Sequence, residues 1–320
     1  MKRVFAIFLI LALAFSYTAC NKPDPEPTPE PDPYPNGVIA TLDIRKSILH
    51  DEQGKAIEGT EYAKVHSHRG SVDYSTMEWQ DYQYFNIVII PDTYEGVPVT
   101  KIEEEAFKDT TNHFWYVNMP DSIEEIGSYA FYSCYELETV NLPKHGVTLP
   151  KNLKHIGAWA FAGCNFAGYD LVLPDQLETI DAYAFRGCGL NSFTLPESIQ
   201  SIGMGAFSYN AFKTVTINFE TIPKKMFMGC KLLEHVTFGD DVRVIKEDAF
   251  LYCRNINTIT FSKSIETIEP GAFDFRTEQL ENLVINYQGT EEEWNAIDFP
   301  STSWKEWVES LATINFNYNA

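Results

Sequence analysis

The stretch SIEEIGSYAFYSCYELETVNLP, residues 122–143, decides the fold. Val140 and Leu142 stand two apart, as residues do on one face of a strand. Ile123, Ile126 and the Ala130–Phe131 pair supply further inward side chains. The pattern then recurs. Phe107, Phe131, Phe161, Phe185, Phe207, Phe227, Phe250 and Phe273 mark eight copies, with gaps of 24, 30, 24, 22, 20, 23 and 23 residues. Each follows an alanine except Phe227, which follows Met226. A period near 23 over so many copies predicts a solenoid. Every copy joins a strand-like piece, such as LETVNLP or INTITF, to a second one, such as SIEEIGSYAF or SIETIEPGAF. No copy can bury its apolar face alone, whereas stacking buries them all in one continuous core.

One inward column runs through Val117, Val140, Leu171, Phe193, Val215, Val236, Ile259 and Leu283. A second, two residues on, runs from Met119 and Leu142 through Leu173, Leu195, Ile217, Phe238 and Phe261 to Ile285. The 30-residue gap contains PKHGVTLPKNLKHIG, read as an extra turn bulging from one coil. The copy around Met226 has IPKKMF in place of the Ile-Gly-x-x-Ala-Phe string, so that coil is expected to be shortened.

The string Ile-x-x-x-Ala-Phe-x-x-Cys-x-x-Leu-x-x-Val-x-Leu-Pro, read at Ile126–Pro143, resembles the BspA-like leucine-rich repeats of bacterial surface proteins. The resemblance spans roughly residues 85–320. It implies a β-rich solenoid, a right-handed coil of about eight repeats with a parallel sheet on one face. On this reading the solenoid occupies 85–286, a short helical cap 287–320, and an N-terminal cap or appendage 38–84. In the C-terminal cap, Thr290 and Glu293 form a capping box. Ser303 and Glu306 are read as a second helix start. The string at Tyr287–Ile297 resembles the terminal unit of the same family. Trp294, Trp304 and Trp307 are read as packing residues.

Cys134, Cys164, Cys188, Cys230 and Cys253 share one register of the coil, which Thr110, Asn210 and Arg276 occupy in other copies. Stacking sets equivalent residues about 4.8 Å apart with parallel side chains. Disulfides need converging side chains with Cβ atoms about 3.5–4.5 Å apart. Five is also odd. These residues are therefore read as a structural ladder of buried thiols. No Cys-x-x-Cys occurs, and no metal site is expected; His66 and His68 make only a lone pair.

The chain opens MKRVFAIFLILALAFSYTAC, with Lys2 and Arg3 ahead of an unbroken apolar run from Val4 to Phe15. Such a run is too short to span a bilayer and reads as a signal peptide, residues 1–19. A cysteine directly after it resembles a bacterial lipoprotein box, which implies lipidation at Cys20. Residues 20–37 follow, with proline at every second position from Pro23 to Pro35. Proline fixes φ and donates no hydrogen bond, so an extended acidic stalk is expected, about 40 Å long at ~3.1 Å per residue. The formal charge of −21 repels nucleic acid and anionic lipid.

The exposed columns of the strand face are the remaining candidates for function. One holds Tyr116, Thr139, Asp170, Ser192, Thr214, His235, Thr258 and Asn282; the other holds Asn118, Asn141, Val172, Thr194, Thr216, Thr237, Thr260 and Val284. Threonine suits an exposed strand position whatever the function. The functional reading is an extended face for a protein or glycan ligand. No phosphate loop, nucleophile elbow or zincin motif occurs, so neither catalysis nor a cofactor is expected. The resemblance implies a monomeric outer-membrane lipoprotein at the cell surface, membrane-bound through its lipid alone and adhering to host matrix or other cells; an orientation toward the periplasm is the variant. The competing reading is a carbohydrate-binding lipoprotein of a glycan-uptake system, with Trp115, Tyr116 and the aromatics of 74–84 as its candidates.

Overall fold

A computed structural model of the chain describes residues 42–50, 56–68, 87–108, 116–135, 137–140, 147–275 and 282–319. Asn36–Ala320 cluster as one compact unit. The signal peptide, Cys20, the stalk, Trp115 and the aromatic segment 74–84 lie outside the described residues.

Each coil has three sides. The first carries the longer strands and is the strand face. Ile87–Ile89, Tyr116–Asn118 and Thr139–Val140 pair in parallel there. Val147–Thr148, Asp170–Val172 and Ser192–Thr194 form a second parallel set. Thr214–Ile217, His235–Phe238, Thr258–Phe261, Val284–Tyr287 and Thr313–Asn315 form a third. On the second side the other pieces pair as well. Val97–Ile102, Glu125–Ile126, His155–Ile156, Thr179–Ile180 and Ser201–Ile202 make one ladder, and Thr221–Ile222, Val244–Ile245 and Thr267–Ile268 another.

The third side is built of tight turns. Tyr129 and Ser133 take left-handed backbone, φ 57° and 59°. This aims N–H groups at the next coil: Tyr129 N donates to Ala158 O at 2.8 Å, Phe131 N to Ala160 O at 2.7 Å, and Ser133 N to Ala162 O at 2.9 Å. The phenylalanines behind these turns stack nearly parallel, with ring centroids 4.8 Å apart for Phe107 and Phe131 and 5.0 Å for Phe250 and Phe273. All eight are buried in one continuous apolar core. Parallel stacking at this distance adds to area burial.

Three expectations change. The segment within the 30-residue gap supplies a strand: Val147–Thr148 is itself the strand on which the next coil stacks, with Val147 opposite Leu171, while residues 141–146 lie outside the described residues. Val147 and Leu149 are buried. Apolar alternation recurs on either side of the insertion, and the second copy carries the sheet forward. Beyond Ile259 and Phe261 the ladder places Ile285 opposite Ile259 and Tyr287 opposite Phe261, with Ile314 opposite Ile285 in turn, so the inward columns run through Ile285 and Tyr287, not through Leu283 and Ile285. The second cap helix is Thr302–Leu311, and its N-cap is Ser301, whose hydroxyl accepts from Trp304 N at 3.1 Å. Ser303 therefore lies inside the helix.

The second-side edge at the N-terminal end and the C-terminal end of the coil stack are covered. The antiparallel pair Leu42–His50 and Ala56–His68 lies on the edge of Val97–Ile102. An uncovered edge would template pairing with other chains. At the other end, the Thr290–Glu293 capping box starts helix Glu291–Asn295. This helix buries Trp294, whose Nε1 donates to Glu309 Oε1 at 2.8 Å. Trp304 and Trp307 pack against the same core.

Candidate binding face

Strand alternation turns every second residue of the strand face outward. Asp170, Ser192, Thr214 and His235 are exposed in one column, with Tyr116 and Thr258 half-buried. Asn118, Val172, Thr194 and Thr216 are exposed in the other, with Thr237 half-buried. Thr139 holds its place in the ladder opposite Tyr116. Short hydrogen bonds run along the face: Ser192 Oγ donates to Asp170 Oδ1 at 2.6 Å, and Asn315 Nδ2 to Asn286 Oδ1 at 2.9 Å.

Two corrections follow from register. Thr260 is buried at 8% exposure, between Thr237 and Asn286 in the ladder, and does not face a ligand. Val284 sits opposite Thr258 and continues the first column in place of Asn282. Thr148, Thr313 and Asn315 belong to the columns and were missed by sequence reading. Asn141 lies outside the described residues.

The cysteine register is interior. Cys134, Cys164, Cys188, Cys230 and Cys253 are free and buried. Each thiol donates to a phenylalanine carbonyl one coil back, from 3.0 Å for Cys253 on Phe227 O to 3.5 Å for Cys230 on Phe207 O. Asn210 takes the same place, its Nδ2 donating to Phe185 O at 2.8 Å while its Oδ1 accepts from Leu190 N at 3.0 Å. Burial pushes the Cys164, Cys188 and Cys253 thiols well above the ordinary thiol range. Thiols held neutral and inaccessible are poor nucleophiles and poor metal ligands. Among the described residues, no group of three or more His, Cys, Asp or Glu could hold a metal ion.

One surface hollow was not anticipated. Among the described residues, no ladder bond joins Ser192–Thr194 to Thr214–Ile217, or Ser201–Ile202 to Thr221–Ile222. The coils part there on two sides and stay joined on the third, where Gly205 N donates to Lys224 O at 2.9 Å and Phe207 N to Met226 O at 3.1 Å. The phenylalanine stack opens at the same level: Phe207 and Phe227 stand 6.4 Å apart, and Phe193 packs against both. Two causes are legible. Elsewhere the residue after the second-side isoleucine donates to the preceding coil, as Gly203 N does to Ile180 O at 2.7 Å. That register holds Pro223, which has no N–H. The coil is also short: Val215 to Phe227 spans two residues fewer than Phe193 to Phe207. The result is a cleft of about 1010 Å³ floored by Leu195, Ile199 and Phe219, continuous through Leu195 and Asn218 with a hollow of about 390 Å³ in the strand face.

Half-buried rings gather on the third side. Trp159 lies between Tyr129 and Tyr183, at 6.2 and 4.5 Å. Arg186 covers Trp159 and Tyr209 at 5.5 and 4.7 Å. These rings turn their faces to one another and to Arg186, leaving edges toward solvent.

A family model described as BspA type leucine rich repeat region matches in six copies, over residues 81–164 and 154–279. No curated protein matches. Several solved structures are similar. A leucine rich cell surface protein from Faecalibacterium prausnitzii is 17% identical, with 75% of this chain and 94% of that chain covered and a TM-score of 0.26. The T. pallidum leucine rich repeat protein is 17% identical, with 87% and 97% covered and a TM-score of 0.35. A leucine-rich repeat protein from Bacteroides ovatus is 17% identical, with 85% and 98% covered and a TM-score of 0.27.

Proposed function

The chain belongs to the BspA-type leucine-rich repeat family, and from that premise we propose that it is a cell-surface lipoprotein that binds other proteins without chemistry. Cys20 carries the lipid, and the stalk 20–37 holds the solenoid away from the outer membrane. The strand face meets protein ligands of host matrix or of other cells. The observation that carries this reading is the pair of outward columns in parallel register, Asp170 to Ser192 and Thr214 to His235 to Thr258 in one, Val172 to Thr194 and Thr216 to Thr237 in the other, displaying mostly short polar side chains on a rigid base. Short side chains lose little rotamer entropy on contact, and a rigid ladder loses no backbone entropy. No described cysteine is available as a nucleophile, in keeping with a non-catalytic role.

The glycan reading has less support. Sugar rings stack on open aromatic faces, and Tyr129, Trp159 and Tyr183 spend theirs on each other. The test is an array of extracellular-matrix proteins and glycans probed with the full chain purified in detergent. Salt-sensitive capture on matrix proteins is expected. Capture on glycans alone would replace the proposal with a carbohydrate-binding role.

A further inference from the structure

Among the described residues, the cleft between the coils at 190–211 and 212–233 has four strand edges without a neighbour in the ladder, two on each wall. Edge strands present free N–H and C=O groups in a row and accept an added strand. The floor is apolar and half-exposed at Leu195, Ile199 and Phe219. The charges around it are unequal. Lys224 is paired with Glu247 at 2.5 Å and Lys246 with Glu269 at 2.7 Å. Asp241 accepts from the neutral amide of Asn218 at 2.6 Å, a partner that brings no positive charge. Glu197 and Glu220 are exposed on the rim. The local field is therefore acidic, as is the whole chain.

We infer that this cleft takes an extended segment of a protein ligand as an added β-strand, a segment that alternates basic with apolar residues. Its backbone pairs with the free edges, its apolar side chains reach Leu195, Ile199 and Phe219, and its basic ones meet Glu197, Glu220 and Asp241. The chain's own stalk, acidic between its prolines, does not suit this rim, and its prolines could not donate to an edge. The inference rests on the protein-binding reading and gives it a second site, next to the strand face.

The test uses the full chain in detergent and three fluorescent heptapeptides. One alternates lysine with isoleucine or valine, one replaces the lysines by glutamate, and one is the basic peptide N-methylated on alternate amides. Anisotropy should show saturable, salt-sensitive binding of the basic peptide, at least tenfold weaker for the other two. Glu197→Lys with Glu220→Lys should weaken it tenfold or more; both residues are exposed, so the fold is not at risk. Hydrogen exchange should slow at 192–195 and 214–222 on binding. No binding, equal binding of the methylated peptide, or protection confined to another side would overturn the inference. So would dimerisation through these residues in place of peptide capture. Matrix capture by the parent chain with no peptide binding to it would discard the cleft and leave the strand-face reading intact. Peptide binding with no capture on any array would do the reverse.

Discussion

The Cys188 thiol donates to the carbonyl oxygen of Phe161, one coil back, at 3.1 Å. The same oxygen already accepts from Cys164 N at 3.0 Å, so the thiol is its second donor. At Asn210 the situation differs. The turn from Phe185 to Phe193 is one residue shorter than that from Phe131 to Val140, and Leu190 N turns to the Asn210 side chain. Asn210→Cys should therefore cost about 1–3 kcal/mol, the penalty of a buried amide left without its acceptor. Cys188→Ser, which keeps a donor, should cost less. Urea unfolding reads both; equal costs would mean that the register asks only for a small side chain.

The buried thiols should not react with a disulfide reagent at pH 8 until the protein unfolds. Burial raises the pKa values of Cys164, Cys188 and Cys253, so their neutral form is favoured in the folded state. Stability is then undiminished below the ordinary thiol value of 9.0 and falls as pH rises past it, because the unfolded chain ionises first. A melting temperature flat from pH 7 to 8.5 and falling above pH 9 is expected. Rapid labelling of native protein would contradict the interior ladder.

Acid acts in the other direction. Lys246 and the Glu247 N–H bind the Glu269 carboxylate at 2.7 and 2.9 Å and hold its pKa below 4.5. Asp121 is lowered likewise by Lys151. A lowered carboxylate contributes stability above its unfolded pKa and loses it as pH falls through the folded one. The native chain should lose stability below about pH 4.5, and Glu269→Gln should flatten the profile there. An unchanged profile in that variant would mean that the pair is fully screened by solvent.

Gly205 occupies the left-handed turn position, φ 65°, that Tyr183 holds one coil earlier. A Cβ there would stand 2.3 Å from the Tyr183 ring. Gly205→Val combines that overlap with a β-branched residue at positive φ, and a loss of about 2–4 kcal/mol is expected in thermal or urea unfolding. Restoration by a second change, Tyr183→Ala, would place the cost in the ring; no restoration would place it in the backbone.

The solenoid was legible because its signal repeats. Phe131 and its equivalents, and the inward pairs of the LETVNLP type, state the same geometry eight times. Register failed where one copy departed from the rest. Ile285 and Tyr287, not Leu283 and Ile285, continue the columns, because alternation fixes which face a residue takes but not which alternate residue pairs. The cleft stayed hidden for a related reason. The shortened coil at IPKKMF was visible, yet its consequence depends on one missing N–H at Pro223 facing Ile202, a contact between coils that a single copy does not display. The exposed face was half legible: Ser192 and Thr216 follow from alternation, whereas burial of Thr260 depends on neighbours supplied by the C-terminal coil.

The strand face is tested most directly by comparing two surfaces of one protein. Ser192→Trp with His235→Trp blocks the outward column, and Met204→Trp places the same bulk on the exposed third side. All are surface changes, expected to leave thermal stability within about 0.5 kcal/mol of the parent. Capture of the full chain on the matrix-protein array should fall at least tenfold with the first pair and stay unchanged with Met204→Trp. Equal loss from both, or loss from Met204→Trp alone, would contradict binding through the strand face.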